Sequence, residues 1–60
     1  MPIVTIEAFS GRTTSQKRGL VRDITEAVPR NFDVAPDAVT IIIHELSHEH
    51  LARDGKLRID

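Results

Sequence analysis

The chain has 60 residues and no cysteine, which excludes disulfide staples, thiolate catalysis and cysteine-bound zinc. At most one domain fits, over residues 1–60, and a chain this short buries only about 60% of the surface its unfolded form exposes. Eight basic and nine acidic residues, a net charge of -1 and just two aromatics, Phe9 and Phe32, supply neither the clustered basic face nor the stacking surface of a nucleic-acid binder.

The first segment, Ile3 to Phe9, is rich in β-branched residues and stops at Ser10-Gly11, which predicts a strand and a turn. Thr13 and Gln16 have the spacing of a capping box, in which each side chain satisfies the other's exposed backbone donor. Beyond them Leu20, Val21, Ile24, Ala27, Val28 and Phe32 recur at helical spacing. Lys17, Arg18, Arg22, Asp23 and Glu26 fill the rest of the circumference. The pattern predicts an amphipathic helix packed by one face. Gly19 costs that helix roughly 1 kcal/mol relative to Ala. Pro29 would clash with the Thr25 carbonyl, so a kink or an end is expected near Val28, with a loop from Asn31 to Asp37.

Val39-Thr40-Ile41-Ile42-Ile43 predicts a second strand, apolar on both faces. The tail from Ser47 to Asp60 is polar, with Asp54-Gly55 as a hairpin turn signal. Strand, helix, strand in this order predicts an α/β (α+β) fold, a single right-handed βαβ unit with parallel strands. One helix covers one face of the sheet, so a further copy of the chain is expected to cover the other and complete the sheet by oligomerisation. The N-terminus lacks the charged and apolar regions of a signal peptide, and no run has the apolar length of a membrane span. A soluble cytoplasmic protein with no membrane contact is expected.

Three features carry chemistry. If Met1 is trimmed, as is usual before a small residue such as proline, Pro2 becomes a free secondary amine. An α-amino group titrates near 7.7–8.0, and burial or a nearby cation lowers that further, which makes a neutral general base at physiological pH. With Met1 attached, the same nitrogen is an amide without a basic lone pair. The plain alternative is that Met-Pro is a common start and nothing more.

The second feature, His44-Glu45-Leu46-Ser47-His48, spells the H-E-x-x-H zinc-protease pattern, which needs a helix to bring both histidines to one face. His44 instead continues a β-branched strand, where four residues span about 13 Å. Ordinary solvated histidines are therefore expected at 48 and 50, and no metal. Third, Gly11-Arg12 places a guanidinium at the helix entrance, where its planar fork suits a carboxylate; a solvated arginine is the alternative.

Taken together, Pro2-Ile3, Ser10-Gly11-Arg12-Thr13, Gln16-Lys17, Leu20-Val21-Arg22, the strand from Val39 to Glu45, His50 and Gly55-Lys56 resemble the 4-oxalocrotonate tautomerase family over nearly the whole chain. The resemblance implies a βαβ subunit with a short C-terminal hairpin, assembled as a hexamer of three dimers. It also implies catalysis without a cofactor by an amino-terminal proline, which moves a proton between carbons of a 2-hydroxydienoate or enol acid. Pro2 matches that proline, and Arg12 matches a family arginine that interacts with the substrate's carboxylate end. Independently, the seven strand residues between Pro2 and Ser10 span about 23 Å, so an Arg12 beside Pro2 must come from a neighbouring chain.

Departures from the family pattern narrow the expectation. A second arginine, which polarises the substrate carbonyl in the archetype, falls at Thr40. The aromatic that walls the pocket falls at Leu51. Losing one preorganised electrophilic group typically costs about 10²–10³ in rate, so weak turnover of the archetypal diacid is expected unless Arg53 or Lys56 supplies the charge. Dehalogenation, found in some relatives, is disfavoured, because their water-activating glutamate falls at Arg53 and their arginine pair is reduced to Arg12, with Phe9 at the other position.

The resulting expectation is a tautomerase or isomerase acting on a small enolic carboxylic acid. Pro2 is its base, Arg12 of a neighbour its carboxylate ligand, and Phe9, Thr40 and Leu51 its pocket lining. The alternatives are a non-catalytic member serving as an oligomeric scaffold or acid-binding protein, or one chain of a hetero-oligomeric tautomerase.

Overall fold

The computed structural model describes all residues, Met1–Asp60. Strand β1 (Ile3–Phe9) leads into helix α1 (Thr14–Phe32), and a short 3-10 turn (Pro36–Ala38) precedes strand β2 (Thr40–Leu46). A second 3-10 turn (His48–His50) then leads to a hairpin of β3 (Ala52–Arg53) and β4 (Lys56–Leu57). β1 and β2 pair in parallel, with Ile3 opposite Thr40 and Phe9 opposite Leu46. This is the expected βαβ unit with its C-terminal hairpin.

The helix begins where its cap requires. The Thr13 amide donates to Gln16 Oε1 (2.9 Å) and the Gln16 amide donates to Thr13 Oγ1 (3.1 Å), which satisfies two of the amides that a helix start leaves without partners. Its end differs from the expectation: α1 runs through Pro29 to Phe32. Pro29 has no N–H for the Thr25 carbonyl, yet the helix continues through it for three more residues. Asp33, in the left-handed conformation (φ 56), closes the helix by donating its amide to the Pro29 carbonyl. Asn31 Nδ2 reaches back to the Ala27 carbonyl at 2.8 Å. Phe32, expected in the packed stripe, is instead 69% exposed.

The two faces of the sheet differ. Val4, Ile6 and Ala8, with Ile41, Ile43 and Glu45 beside them in register, turn toward α1. There Lys17 pairs with Glu45, so Lys17 leaves the solvent-facing circumference predicted for it and leans over the sheet. The opposite face carries Ile3, Thr5 and Glu7 beside Thr40, Ile42 and His44. It is therefore less apolar than expected of β2, because His44 and Glu7 sit side by side on it, Nδ1 to Oε1 at 3.7 Å.

No residue of the single chain is buried. Its accessible surface is 4859 Å², against about 3,900 Å² for a compact monomer of this mass. Its radius of gyration is 14.7 Å, against about 10 Å for a compact domain of this length. Ile3 and Ile42 on the uncovered face are 60% and 40% exposed. The slab, 44 × 24 × 13 Å, is one helix thick on one sheet, and the second apolar layer that would make a core is missing from the chain itself. No helix is long and apolar enough to cross a membrane.

Candidate active site

The five residues singled out in the sequence divide between the two ends of the sheet. At one end, Pro2 immediately precedes β1, and its carbonyl accepts a hydrogen bond from the Thr40 amide at 3.0 Å. Pro2 and Thr40 are thus neighbours because the parallel register starts there. Met1 before it is 84% exposed.

At the far end, Phe9, Arg12 and Leu51 come together around two grooves. The first, of about 240 Å³, lies between sheet and helix entrance, with Phe9, Arg12, Gln16 and Lys17 on its rim and Ile6 and Ile43 in its floor. The second, of about 220 Å³, is bounded by Glu7, Ala8, Phe9, Leu46 and Leu51. Phe9 is common to both.

Local structure explains why these side chains converge. Gly11 adopts φ +118, open to glycine and strained for other residues, and this turns the chain sharply so that Arg12 stands between the strand end and the capped helix. The Ser10 amide donates to the Leu46 carbonyl at 2.8 Å, which holds the ends of β1 and β2 together. At Asp54-Gly55 both residues have positive φ, 54 and 75, as a two-residue type I′ hairpin turn requires. The Arg58 amide donates to the Leu51 carbonyl at 2.9 Å, tying the hairpin to the groove wall.

The structure brings Phe9, Arg12 and Leu51 to one end and Pro2 with Thr40 to the other, the length of β1 apart. Arg53 and Lys56 face each other across the hairpin and line neither groove. His44 lies in β2 and His48 in a 3-10 turn, so the H-E-x-x-H pattern has no helix on which to act.

Sequence reasoning missed three residues at this end of the sheet. Gln16 and Lys17 share the Arg12 groove; their place in the first turn of the predicted helix, just after Arg12, was the available signal. His48 lies flat on Phe9, ring centroids 4.1 Å apart and planes 12° apart, a contact between distant segments that no spacing in the chain announces.

Comparisons with known proteins agree with this architecture. The family model described as Tautomerase enzyme matches residues 2–58. A 2-hydroxymuconate tautomerase of Bacillus subtilis is 39% identical over 56 residues, 93% of this chain and 90% of that one. Among solved structures, a 4-oxalocrotonate tautomerase isozyme of Methylibium petroleiphilum superposes with a TM-score of 0.88 at 46% identity, covering 97% of this chain and 91% of its own. A heterohexameric 4-oxalocrotonate tautomerase of Chloroflexus aurantiacus gives 0.88 at 32% identity, covering 100% and 97%.

Proposed function

The chain belongs to the tautomerase family, and from that premise we propose that it is an isomerase which moves a proton within a small enolic or 2-hydroxydienoate carboxylic acid, using Pro2 as the base. The observation that carries the reading is the placement of Pro2 and Arg12 at opposite ends of a strand whose outer edge is unpaired. An antiparallel copy of β1 laid along that edge sets Pro2 of one chain across from the Phe9 end of the other. The uncovered sheet face, with Ile3 and Ile42, then packs against further copies, which is how a hexamer of three such pairs supplies the missing core.

In that arrangement each group has a chemical task. With Met1 gone, the prolyl nitrogen takes the proton of the enol hydroxyl and returns it to carbon, so that an O–H bond is exchanged for a C–H bond and no co-reactant is consumed. Arg12 of the neighbour holds the carboxylate through its bidentate fork. Phe9 and Leu51 keep the site apolar, which strengthens that ion pair and favours the neutral amine. The Thr40 hydroxyl, at the Pro2 end, offers a neutral hydrogen bond to the substrate oxygen.

Exposure to 3-bromopropiolate tests the reading. Arg12 recruits its carboxylate and a neutral secondary amine adds to its electron-poor triple bond, so a chain lacking Met1 is expected to gain one adduct, mapped to Pro2. A chain lacking Met1 that stays unlabelled would overturn the assignment. Arg12→Ala is expected to raise KM by about 10-fold or more, since a charge-assisted hydrogen bond contributes about 1.5–3 kcal/mol. An unchanged saturation curve would count against Arg12 as the carboxylate ligand. A second reading, one chain of a hetero-oligomer, is favoured by the uncharged Thr40 beside Pro2. Full activity of the chain purified alone would dismiss it.

A further inference from the structure

We propose that His48 is a second anion-binding residue of this site and makes it select a diacid over a monoacid of the same length. The inference rests on the reading above, in that the groove around Phe9 is where the acid lies. Phe9 borders both grooves, and the imidazole of His48 is stacked on its ring. Leu46 and Leu51, on either side of His48 in the chain, line the second groove. His48 lines neither groove itself; it backs the Phe9 ring that both grooves share, and Arg12 borders the first of them.

Its chemistry is unspent. His44 is committed to Glu7 and His50 to Ser47, whose Oγ lies 3.3 Å from His50 Nδ1. His48 makes no hydrogen bond or ion pair within the chain; it is held by its stack and by the turn that the His50 amide closes on the Ser47 carbonyl at 3.0 Å. A ring held by its face keeps its edge nitrogens free for a ligand. Glu7, the acidic group of the second groove, already faces His44. Arg53 and Lys56 stand away on the hairpin, and Thr40 carries no charge. Among the three histidines, His48 is the one with no partner in the chain.

Matched six-carbon dienes separate the second carboxylate from everything else. trans,trans-Muconate has two carboxylates, sorbate has one, and neither carries the enol that Pro2 acts on. In titration calorimetry the wild-type oligomer is expected to bind muconate at least about 10-fold more tightly than sorbate, the effect of one charge-assisted hydrogen bond. His48→Phe keeps the stack and removes the donors; it should erase most of the gap while leaving sorbate binding unchanged. His48→Arg, which stacks and donates, should restore the gap.

A gap that survives in His48→Phe, an equal weakening of both acids, or failure of the wild type to bind either would overturn the proposal. Labelling of Pro2 by 3-bromopropiolate reads the base independently. An adduct at Pro2 without a muconate preference would sink His48 and leave Pro2 standing.

Discussion

Replacing Pro2 by Ala, with Met1 removed from both proteins, is expected to lower kcat on a 2-hydroxydienoate by about 10²–10⁴-fold, the usual contribution of a positioned general base. The loss is incomplete in principle because alanine leaves a primary amine. What disappears is the ring that fixes the lone pair at the start of β1. Assembly should be unchanged, since the Pro2 contact to β2 runs through its carbonyl, which alanine also has. Stopped-flow turnover beside sedimentation velocity separates the two effects, and full activity in the variant would refute the role.

The same variant reports on the geometry of the site. Refolding equal amounts of Pro2→Ala and Arg12→Ala chains together should restore up to about one quarter of wild-type activity, because a site drawing Pro2 from one subunit and Arg12 from another is intact in that fraction of random pairings. Neither variant alone can form such a site. A mixture no more active than its components would place both groups in a single chain, against the length of β1 that separates them.

The second large effect is expected at Ile42. It lies in mid-strand on the uncovered face, 40% exposed in the single chain, beside Thr5 of β1. In an assembly built on that face, Ile42→Asp would carry an unpaired carboxylate into the interface of every subunit, at a cost of several kcal/mol each. A chain with no buried residue of its own has little stability to set against that, so the variant is expected to sediment as a monomer and to lose its cooperative unfolding transition. Activity should vanish with assembly. Wild type that remains a folded monomer at micromolar concentration would contradict the expectation, as would a fully assembled Ile42→Asp.

Much of the local structure was legible because its causes are local. Thr13 and Gln16 announce the helix start, since a capping box needs only three-residue spacing. Asp54-Gly55 announces the hairpin, since both residues tolerate positive φ. Pro29 misled because its penalty, the bond lost to the Thr25 carbonyl, does not stop the helix: beyond it Asp33 and Asn31 reach back to the Pro29 and Ala27 carbonyls. Lys17 was misplaced because helical periodicity assigns a face but cannot see Glu45, which reaches it from β2. Pro2 and Arg12 were readable as candidates from residue type and position, and the length of strand between them already implied separate chains.

The sequence by itself determined the βαβ order, the helix cap and the hairpin turn, because each follows from propensity or spacing. Only the tertiary structure decided which residues gather around Phe9. Arg12 arrives through the Gly11 turn, Leu51 through the hairpin and His48 through the 3-10 turn after β2. The register of β1 on β2 and the Ser10–Leu46 hydrogen bond bring these segments together, and pairings between distant parts of a chain leave no periodic trace within any one of them.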